Sequence, residues 1–559
     1  MDRVPESSRV EAVDLGSIPG LPGIYRDYIL HFERVRGLYK RDYRDPERIV
    51  AASSDCRSGL ADSGELKRIL REQCADYDGG KAVEKNIDTL CEGGCAVVTG
   101  QQIGLFCGPA YTLYKAATAL RLAEVLNSVG RGKHVPVFWM ECEDHDNMEV
   151  GRVHVLDRAH QVSTSTLFGE PSRKPTGQYL VDDGVEGLIA GLETTLAGSK
   201  YVNATLATLR RCYEPCQPMS VAFARLLSET FKGRGLIIVD PSDPGIKRLA
   251  SSIYAQAVVK WKDVNEAISR SSERLAGMGY SPQIETGNDR APFFIIRNGE
   301  RLPVFYEGGG FTDLSGEKMT LPELQSLAEH QPETFSPNVS LRPLVQDHLF
   351  HTSVYVGGPS EIAYFAQVEP LYEIFGLDMP AIFPRAQFTM VEPVVARALE
   401  KLGARVGDFA QNEKDLVEGF LKKMGALSGV RVLDRTRAKL NALVDELAAS
   451  LGNLEPEMAG PLETYRKKTA YQLERLEEKL KATSARRHDT LQRQVQTVRN
   501  HLFPLGKPQE RVLNTCYHLA QFGEEFARAI LSCVEPFEFH HRAVWMRSDP
   551  PEPTSRRSE

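Results

Sequence analysis

Apolar runs alternate with turns and helical patterns over most of the chain, up to about Gly429. Four runs rich in β-branched residues are each followed by a Gly, Pro or Asp turn and, in most cases, by apolar positions at helical spacing. These runs are Cys95–Thr99, Val135–Met140, Gly235–Asp240 and Thr352–Val356. Strands alternating with helices are typical of βαβ units around a largely parallel sheet. The sequence therefore predicts an α/β fold with a Rossmann-like, parallel-sheet core.

Two turn-rich segments interrupt this alternation. Residues 161–218 and 279–332 contain short alternating runs, and we interpret them as subdomains inserted beside the sheet. The core is then expected in three pieces, covering residues 1–160, 219–278 and 333–428.

The pattern changes after about Gly429 to long, charged helices that contain little proline. Leucines recur every seven residues and give one helix an apolar stripe: Leu433, Leu440, Leu447 and Leu454. A break at Pro456 precedes a second helical pattern, so residues 429–505 predict an antiparallel helical hairpin of the coiled-coil kind.

A two-helix hairpin has little core of its own. Its stripe is expected to meet a second copy of the chain, which predicts a homodimer, and folding back onto its own core is the alternative. Residues 506–547 are expected to return to the core. Residues 548–559, rich in Pro, Ser and charge, are expected to form a flexible tail.

Composition excludes several classes of protein. The 559 residues are 42% apolar and 26% charged, which is ordinary globular composition. A net charge of −7 gives no global reason to bind nucleic acid or an anionic membrane. The ten cysteines include no Cys-x-x-Cys pair, the N-terminus is unlike a signal peptide, and no apolar run reaches 18 residues. These features predict a cytoplasmic protein.

A glycine-rich segment, TGQQIGLFCGP over Thr99–Pro109, lies between a predicted strand and a predicted helix. Glycines permit a tight turn and close approach to a ligand, and amides at a helix start attract phosphate or carboxylate. Its candidate ligand contacts are Gly100, Gln101, Gln102, Gly104 and Gly108. Lys115 on the following helix is a candidate for the same anion. A purely structural turn remains the alternative.

An acid-histidine cluster, ECEDHD over Glu141–Asp146, follows the second predicted strand. Ligands of parallel sheets gather at the carboxyl ends of strands, so this cluster and the glycine-rich segment are expected to open into one pocket. Crowded carboxylates need neutralisation. They are candidates to bind Mg²⁺ or a substrate ammonium, and His145 is a candidate for proton transfer. A solvated acidic turn is the alternative.

A second strand-glycine-proline-helix arrangement occurs at Gly357, Gly358 and Pro359. Arg342 and Arg385 nearby are candidate clamps for carboxylate or phosphate, because guanidinium offers a planar pair of donors.

Taken together, these segments resemble the bacillithiol-biosynthesis cysteine ligase family. The matching stretches follow the family's order from about residue 90 to 515: Thr99–Lys115, Pro136–Trp139 with Glu143–Asp146, Phe335–Asn338 with Leu341–Pro343, Tyr355–Tyr364 and Pro508–Arg511. The resemblance implies a Rossmann-type core with two connecting-peptide insertions and a C-terminal coiled coil, broadly similar to class I aminoacyl-tRNA synthetases. The glycine-rich segment lacks the paired histidines of those synthetases.

The implied activity is the joining of the cysteine carboxyl to the amine of glucosaminyl malate, with no membrane or nucleic-acid partner. Because a carboxylate and an ammonium do not condense readily in water, ATP and Mg²⁺ are implied, with AMP or ADP as product. Expected catalytic residues are His145, Asp144 and Lys115, and expected metal ligands are Glu143 and Asp146. Expected substrate or nucleotide contacts are Gly100, Gln101, Gln102, Gly104, Gly108, Asn338, Arg342, Gly357, Gly358, Glu361, Arg385, Lys507 and Arg511. The alternative function is a non-catalytic nucleotide-binding module that recruits a partner through its coiled coil.

Overall fold

A computed structural model describes residues 9–55, 62–130, 133–285, 287, 289–423, 428–452, 457 and 459–546. The chain divides into two units. The first comprises residues 1–390 and 507–559, and the second comprises residues 391–506.

The described residues form fifteen strands: β1 (Arg9–Val13), β2 (Cys95–Gln102), β3 (His134–Glu141), β4 (Arg152–Leu156), β5 (Val162–Thr166), β6 (Ile237–Val239), β7 (Arg290–Arg297), β8 (Glu300–Glu307), β9 (Gly310–Asp313), β10 (Lys318–Met319), β11 (Phe335–Pro337), β12 (Thr352–Gly357), β13 (Ala381–Pro384), β14 (Gln387–Val391) and β15 (His541–Trp545).

Their α-helices are α1 (Gly23–Leu30), α2 (Pro46–Asp55), α3 (Ser63–Asp76), α4 (Gly80–Cys91), α5 (Tyr111–Val129), α6 (Asn147–Val150), α7 (Asp183–Thr195), α8 (Val202–Cys212), α9 (Met219–Thr230), α10 (Pro244–Leu249), α11 (Ser251–Val259), α12 (Trp261–Gly277), α13 (Leu321–His330), α14 (Arg342–Leu349), α15 (Pro359–Phe375), α16 (Pro393–Leu402), α17 (Glu413–Lys423), α18 (Ser428–Gly452), α19 (Ala459–Leu502), α20 (Thr515–Phe522) and α21 (Glu524–Cys533).

The central sheet of the first unit is parallel, with the strand order β13-β12-β2-β3-β6. It contains all four strands predicted from the apolar runs, which confirms the α/β, Rossmann-like core. From β2 the chain adds β3 and β6 on one side and β12 and β13 on the other. This change of direction makes the carboxyl ends of β2 and β12 a topological switch point, where such sheets bind ligands.

Burial on both faces explains why these strands read as apolar runs. Along β3 every residue is buried except the last, Glu141. Val137 and Trp139 belong to one apolar cluster, whereas Phe138 and Met140 belong to another. The sheet therefore separates two cores, and Glu141 is the first residue of β3 to leave them.

Strands β7 to β10 of the second predicted insertion form an antiparallel sheet with β11, which lies just beyond it, in the order β10-β9-β8-β7-β11. The β4–β5 hairpin spans the start of the first predicted insertion, which continues mainly as helices α7 and α8. In a separate three-stranded sheet, β15 pairs with the N-terminal strand β1. Residues 507–546 thus belong to the first unit.

The second unit contains the predicted helical hairpin, formed by α18 and α19. Side-chain contacts of Arg437 with Glu477 and of Asp445 with Arg466 show that the two helices run antiparallel. The unit begins at residue 391, so it also includes α16 and α17 before the hairpin. Leu454, Pro456 and the tail predicted over residues 548–559 lie outside the described residues. None of the described helices has a stretch long and apolar enough to cross a membrane.

Candidate active site

A cavity of about 550 Å³ lies at the carboxyl ends of β2, β3 and β12. Thirteen of the site residues predicted from the sequence line it: Gly100, Gln101, Gln102, Lys115, Glu143, Asp144, His145, Asn338, Arg342, Gly358, Glu361, Arg385 and Arg511. The glycine-rich segment and the acid-histidine cluster therefore share one cavity, as expected from parallel strands. Its volume falls in the range of small-molecule sites, about 300–1,000 Å³.

The pairing of β2 with β3 brings the two segments together. Gln102 is opposite Glu141 in the parallel register, so both strands end at the same level. Beyond that level, Gln102 Nε2 donates a hydrogen bond of 2.5 Å to Asp144 Oδ2. Gly100, Gln101 and Gln102 thus belong to the strand end rather than to the following loop.

Lys115 lines the cavity but is almost fully buried. Its Nζ donates to Gly100 O at 2.7 Å and to Gln101 Oε1 at 2.9 Å, and it forms an ion pair with Glu361. Burial lowers the pKa of Lys115, and Glu361 partly opposes this effect. All three ammonium donors are therefore used inside the protein. This geometry gives Lys115 the role of tying β2 and α5 to α15, and leaves no donor for the predicted phosphate contact.

Glu361 connects the second glycine-proline turn to the same network. It accepts hydrogen bonds of 2.7 Å from Gly358 N and from the Tyr355 hydroxyl. Burial opposes ionisation of Glu361, but Lys115 and Arg342 outweigh it and hold the pKa below its ordinary value.

Both arginines predicted as anion clamps have internal partners. The Arg385 guanidinium makes a bidentate pair with Glu510, with Nη1–Oε2 3.0 Å and Nη2–Oε1 2.7 Å, and both side chains are buried. Arg342 Nη1 lies 2.7 Å from Glu141 Oε1. Asn338, at the start of the same segment, uses Oδ1 to accept from Ser340 and from the backbone amide of Leu341.

Two other arginines at the cavity, Arg290 and Arg511, have no ion-pair partner among the described residues. Arg290 lies at the start of β7 with its guanidinium carbon 5.1 Å from the Phe294 ring centroid. Arg511 is exposed and follows Glu510. They are the cationic lining residues best able to bind an anionic ligand.

Arg301, on β8, organises the acid-histidine cluster. Its Nη1 lies 3.3 Å from both Asp144 Oδ1 and His145 Nδ1. Burial and this guanidinium lower the pKa of His145, which favours the neutral imidazole. The backbone amide of His145 also donates to Asp144 Oδ1 at 2.8 Å.

The half-buried carboxyl group of Glu141 is incompletely paired. Its Oε1 is close to Arg342, but no donor is aligned well enough for a hydrogen bond to that oxygen. Burial raises the pKa of Glu141 to about 7, although Arg342 opposes the rise. A cavity carboxyl group with such a pKa can gain and lose a proton near neutrality.

Two family models together match almost the whole chain. Residues 9–386 match the model described as "Bacillithiol biosynthesis BshC, N-terminal Rossmann-like domain". Residues 388–546 match "Bacillithiol biosynthesis BshC, C-terminal coiled-coil domain". The chain belongs to the BshC family. Every cavity residue except Arg511 falls in the part of the chain matched by the Rossmann-like model.

Relatives in this family cover nearly the whole chain. Three named "Putative cysteine ligase BshC" come from Salinibacter ruber, Chlorobium phaeobacteroides and Desulforamulus reducens. They are 30%, 31% and 28% identical, over 90%, 90% and 96% of this chain and 93%, 93% and 99% of theirs. A solved structure titled as a putative arginyl tRNA synthetase from Campylobacter jejuni aligns over 84% of this chain and 97% of that chain, at 11% identity and a TM-score of 0.21, which supports no conclusion.

The magnesium ligands predicted from the sequence do not fit the observed donor set. Glu143 is buried and its Oε1 accepts a 2.5 Å hydrogen bond from Lys247. Asp146 is exposed and caps α6 by accepting from the amide of Glu149. Among the described residues, no group of three or more His, Cys, Asp and Glu side chains is arranged to hold a metal ion. The crowded carboxylates are neutralised by the protein's own cations.

Five predicted site residues do not line the cavity: Gly104, Gly108, Asp146, Gly357 and Lys507. Gly104 and Gly108 instead pack against each other, since a Cβ on Gly104 would lie 2.8 Å from Gly108 Cα. Their close approach shapes the buried turn Leu105–Cys107, in which Phe106 and Cys107 have positive φ. Gly357 pairs with Pro384 inside the sheet.

Sequence reasoning missed the cavity residues supplied by the second insertion and its surroundings. Arg290 and Arg301 lie in an antiparallel sheet with no motif of its own, and Lys247 is 104 residues from its partner Glu143. Glu141 had a usable signal, because it is the first polar position after seven buried residues of β3.

Proposed function

We propose that this chain is a cysteine ligase of bacillithiol biosynthesis that joins the cysteine carboxyl to the amine of glucosaminyl malate at the expense of ATP. The observation that carries the proposal is the match of both domains to the BshC family, whose relatives bear the name "Putative cysteine ligase BshC". The cavity at the switch point of the Rossmann-like sheet also supports the proposal, because residues of the segments that resemble the family line it together.

The reaction needs an activated carboxyl group. ATP converts the cysteine carboxylate into an acyl phosphate or acyl adenylate, and the amine nitrogen then attacks the carbonyl carbon. A C–N bond forms, the C–O bond to the phosphate breaks, and the nitrogen loses a proton. Arg290 and Arg511 would bind the phosphate or malate anions, because they are the cavity arginines without an internal carboxylate partner.

Glu141 is the proposed acceptor of the amine proton. It lines the cavity, its Oε1 has no aligned donor, and its pKa of about 7 suits proton transfer at neutral pH. No step is assigned to a protein-bound metal ion, because the donor set does not fit one. Magnesium enters this proposal only as the counter-ion of the nucleotide.

We also propose that the hairpin of α18 and α19 pairs with a second copy of the chain. Leu443 and Leu447 on α18 are 61% and 48% exposed, and Tyr471 and Leu476 on α19 are also exposed. Large apolar side chains at these positions are typical of a helical surface that meets a partner.

The nine described cysteines are all free thiols, which supports a location in the reducing cytoplasm.

The direct test is reconstitution with purified protein, ATP, Mg²⁺, cysteine and glucosaminyl malate. Mass spectrometry should detect the amide-linked thiol product, and chromatography should detect one AMP or ADP per product. Controls omit cysteine, glucosaminyl malate or ATP in turn. Nucleotide binding without product or turnover would favour the non-catalytic module instead.

A further inference from the structure

The environment of His145 defines which of its ring nitrogens can face a substrate. Arg301 Nη1 is 3.3 Å from Nδ1, whereas the nearest Asp144 oxygen is 3.7 Å from Nδ1, which is too long for a hydrogen bond. Guanidinium nitrogens donate and do not accept. Nδ1 must therefore be the unprotonated, accepting nitrogen, and the ring proton is on Nε2.

Arg301 is itself held rigidly. Its Nε donates to Ser336 Oγ at 2.9 Å and its Nη2 to Pro337 O at 2.9 Å. Its guanidinium carbon lies 3.7 Å from the centroid of the Phe294 ring. These contacts tie the guanidinium to β7 and β11 of the antiparallel sheet, so its position against His145 does not depend on a flexible side chain.

Nε2 of His145 is free for a ligand. The ring lines the cavity, and no described residue makes a hydrogen bond to Nε2. A histidine whose Nδ1 lone pair already accepts from arginine, and whose Nε2 carries the proton, has no lone pair left to accept a proton from an amine. The arrangement suits hydrogen-bond donation by His145 and disfavours its use as the base that accepts the amine proton.

We infer that His145 is a neutral hydrogen-bond donor to the activated carboxyl group, through Nε2–H, and that Arg301 is the positioning residue that fixes this tautomer. The inference rests on the proposed ligase function for the identity of the acceptor. When the amine attacks, the carbonyl π electrons move to oxygen, and Nε2–H stabilises that oxyanion. The oxyanion then collapses and expels the phosphate, while the nitrogen's proton goes to Glu141.

Two replacements of His145 distinguish a role as hydrogen-bond donor from a role as base. Glutamine places an amide N–H near the position of Nε2 but cannot act as a base, whereas alanine removes both functions. Loss of a single oxyanion donor lowers kcat by about 10²–10³. We expect that fall in His145→Ala with KM little changed, and recovery of kcat by about tenfold or more in His145→Gln. Equal loss in both variants would overturn the donor role.

The tautomer can be measured without turnover. Histidine-selective ¹⁵N labelling of the full-length protein, with the His145 signal identified by its absence in His145→Gln, should show protonated Nε2 and unprotonated Nδ1. In Arg301→Gln that signal should shift toward a mixture of tautomers and kcat should fall, while Arg301→Lys, which keeps a cationic donor, should restore both. Arg297→Gln, which alters an arginine of the same sheet outside the cavity lining, is the matched control and should change neither.

Signals of the other histidines report whether each variant is folded. A protonated Nδ1 in the wild type, or an unchanged His145 signal in Arg301→Gln, contradicts the inference even if ligation is observed. Absence of ligation by the wild type, with the Nε2–H tautomer present, would contradict the proposed function and leave the tautomer assignment intact.

Discussion

Deprotonation of Glu141 should set the acidic limb of the pH profile of amide formation. The half-buried carboxyl group lies at the end of β3. Arg342 and Lys115 lower its pKa, whereas Asp144 and Glu361 raise it. Burial is the largest effect and favours the neutral acid, so the pKa rises from 4.5 to about 7.

The size of the effect follows from that pKa. With a midpoint near 7, about one tenth of Glu141 is ionised at pH 6 and about nine tenths at pH 8. The rate of the chemical step should therefore rise about tenfold per pH unit below pH 6 and level off above pH 8. A carboxyl group with an ordinary pKa of 4.5 would already be about 97% ionised at pH 6 and would give no such limb between pH 6 and 8.

The assay is single-turnover formation of the thiol product between pH 5.5 and 8.5, quenched and quantified by mass spectrometry at saturating substrates. Glu141→Gln should lower the rate by about 10²–10⁴ and abolish the limb. Glu149→Gln is the matched control, because burial also raises the pKa of Glu149 but this residue does not line the cavity. A flat wild-type profile, or a limb that survives in Glu141→Gln, would refute the assignment.

Three further predictions follow from the ion pairs and the hairpin. Lys247→Met should lower the free energy of unfolding by about 3–5 kcal/mol, because it leaves the Glu143 carboxylate buried and unpaired, and adding Glu143→Leu should recover most of the loss. Urea denaturation followed by tryptophan fluorescence measures the unfolding midpoints. Equal midpoints for wild type and Lys247→Met would contradict the prediction. Asp144→Ala should strongly reduce ligation with little change in melting temperature; full activity would remove the cluster from the mechanism. Leu443→Lys combined with Leu447→Lys should halve the mass measured by light scattering while the helical content by circular dichroism stays constant; an unchanged mass would exclude this surface from dimerisation.

The parallel core could be predicted from the sequence because its physics is local. Strands such as β2 and β3 are buried on both faces, so each appears as a continuous apolar run followed by a turn and a helix. The rule that ligands gather at the carboxyl ends of such strands then brought Gln102 and Asp144 into one predicted pocket, and they are in contact.

Side-chain partners across the fold could not be predicted in the same way. Arg301 is 156 residues from His145, and Glu510 is 125 residues from Arg385. Such pairs depend on where the inserted sheet and the C-terminal segment pack against the core. No local periodicity in a single sequence indicates that packing. For that reason the sequence led to thirteen of the residues that line the cavity, but not to the hydrogen bonds and ion pairs that join them to the rest of the fold.

The ion pairs that the sequence did not predict determine the charge of the cavity. From the sequence, four carboxylates within six positions predict neutralisation by a metal ion or a substrate ammonium. In the folded protein, however, Glu141 lies against Arg342, Glu143 against Lys247 and Asp144 against Arg301, while Asp146 caps α6. Once these pairs are made, three charged groups at the described cavity wall have no ion-pair partner: the guanidinium groups of Arg290 and Arg511 and the carboxylate of Glu285. A cluster that is acidic in the sequence therefore belongs to a cavity in which cations outnumber anions among the unpaired charges, and this balance favours anionic ligands.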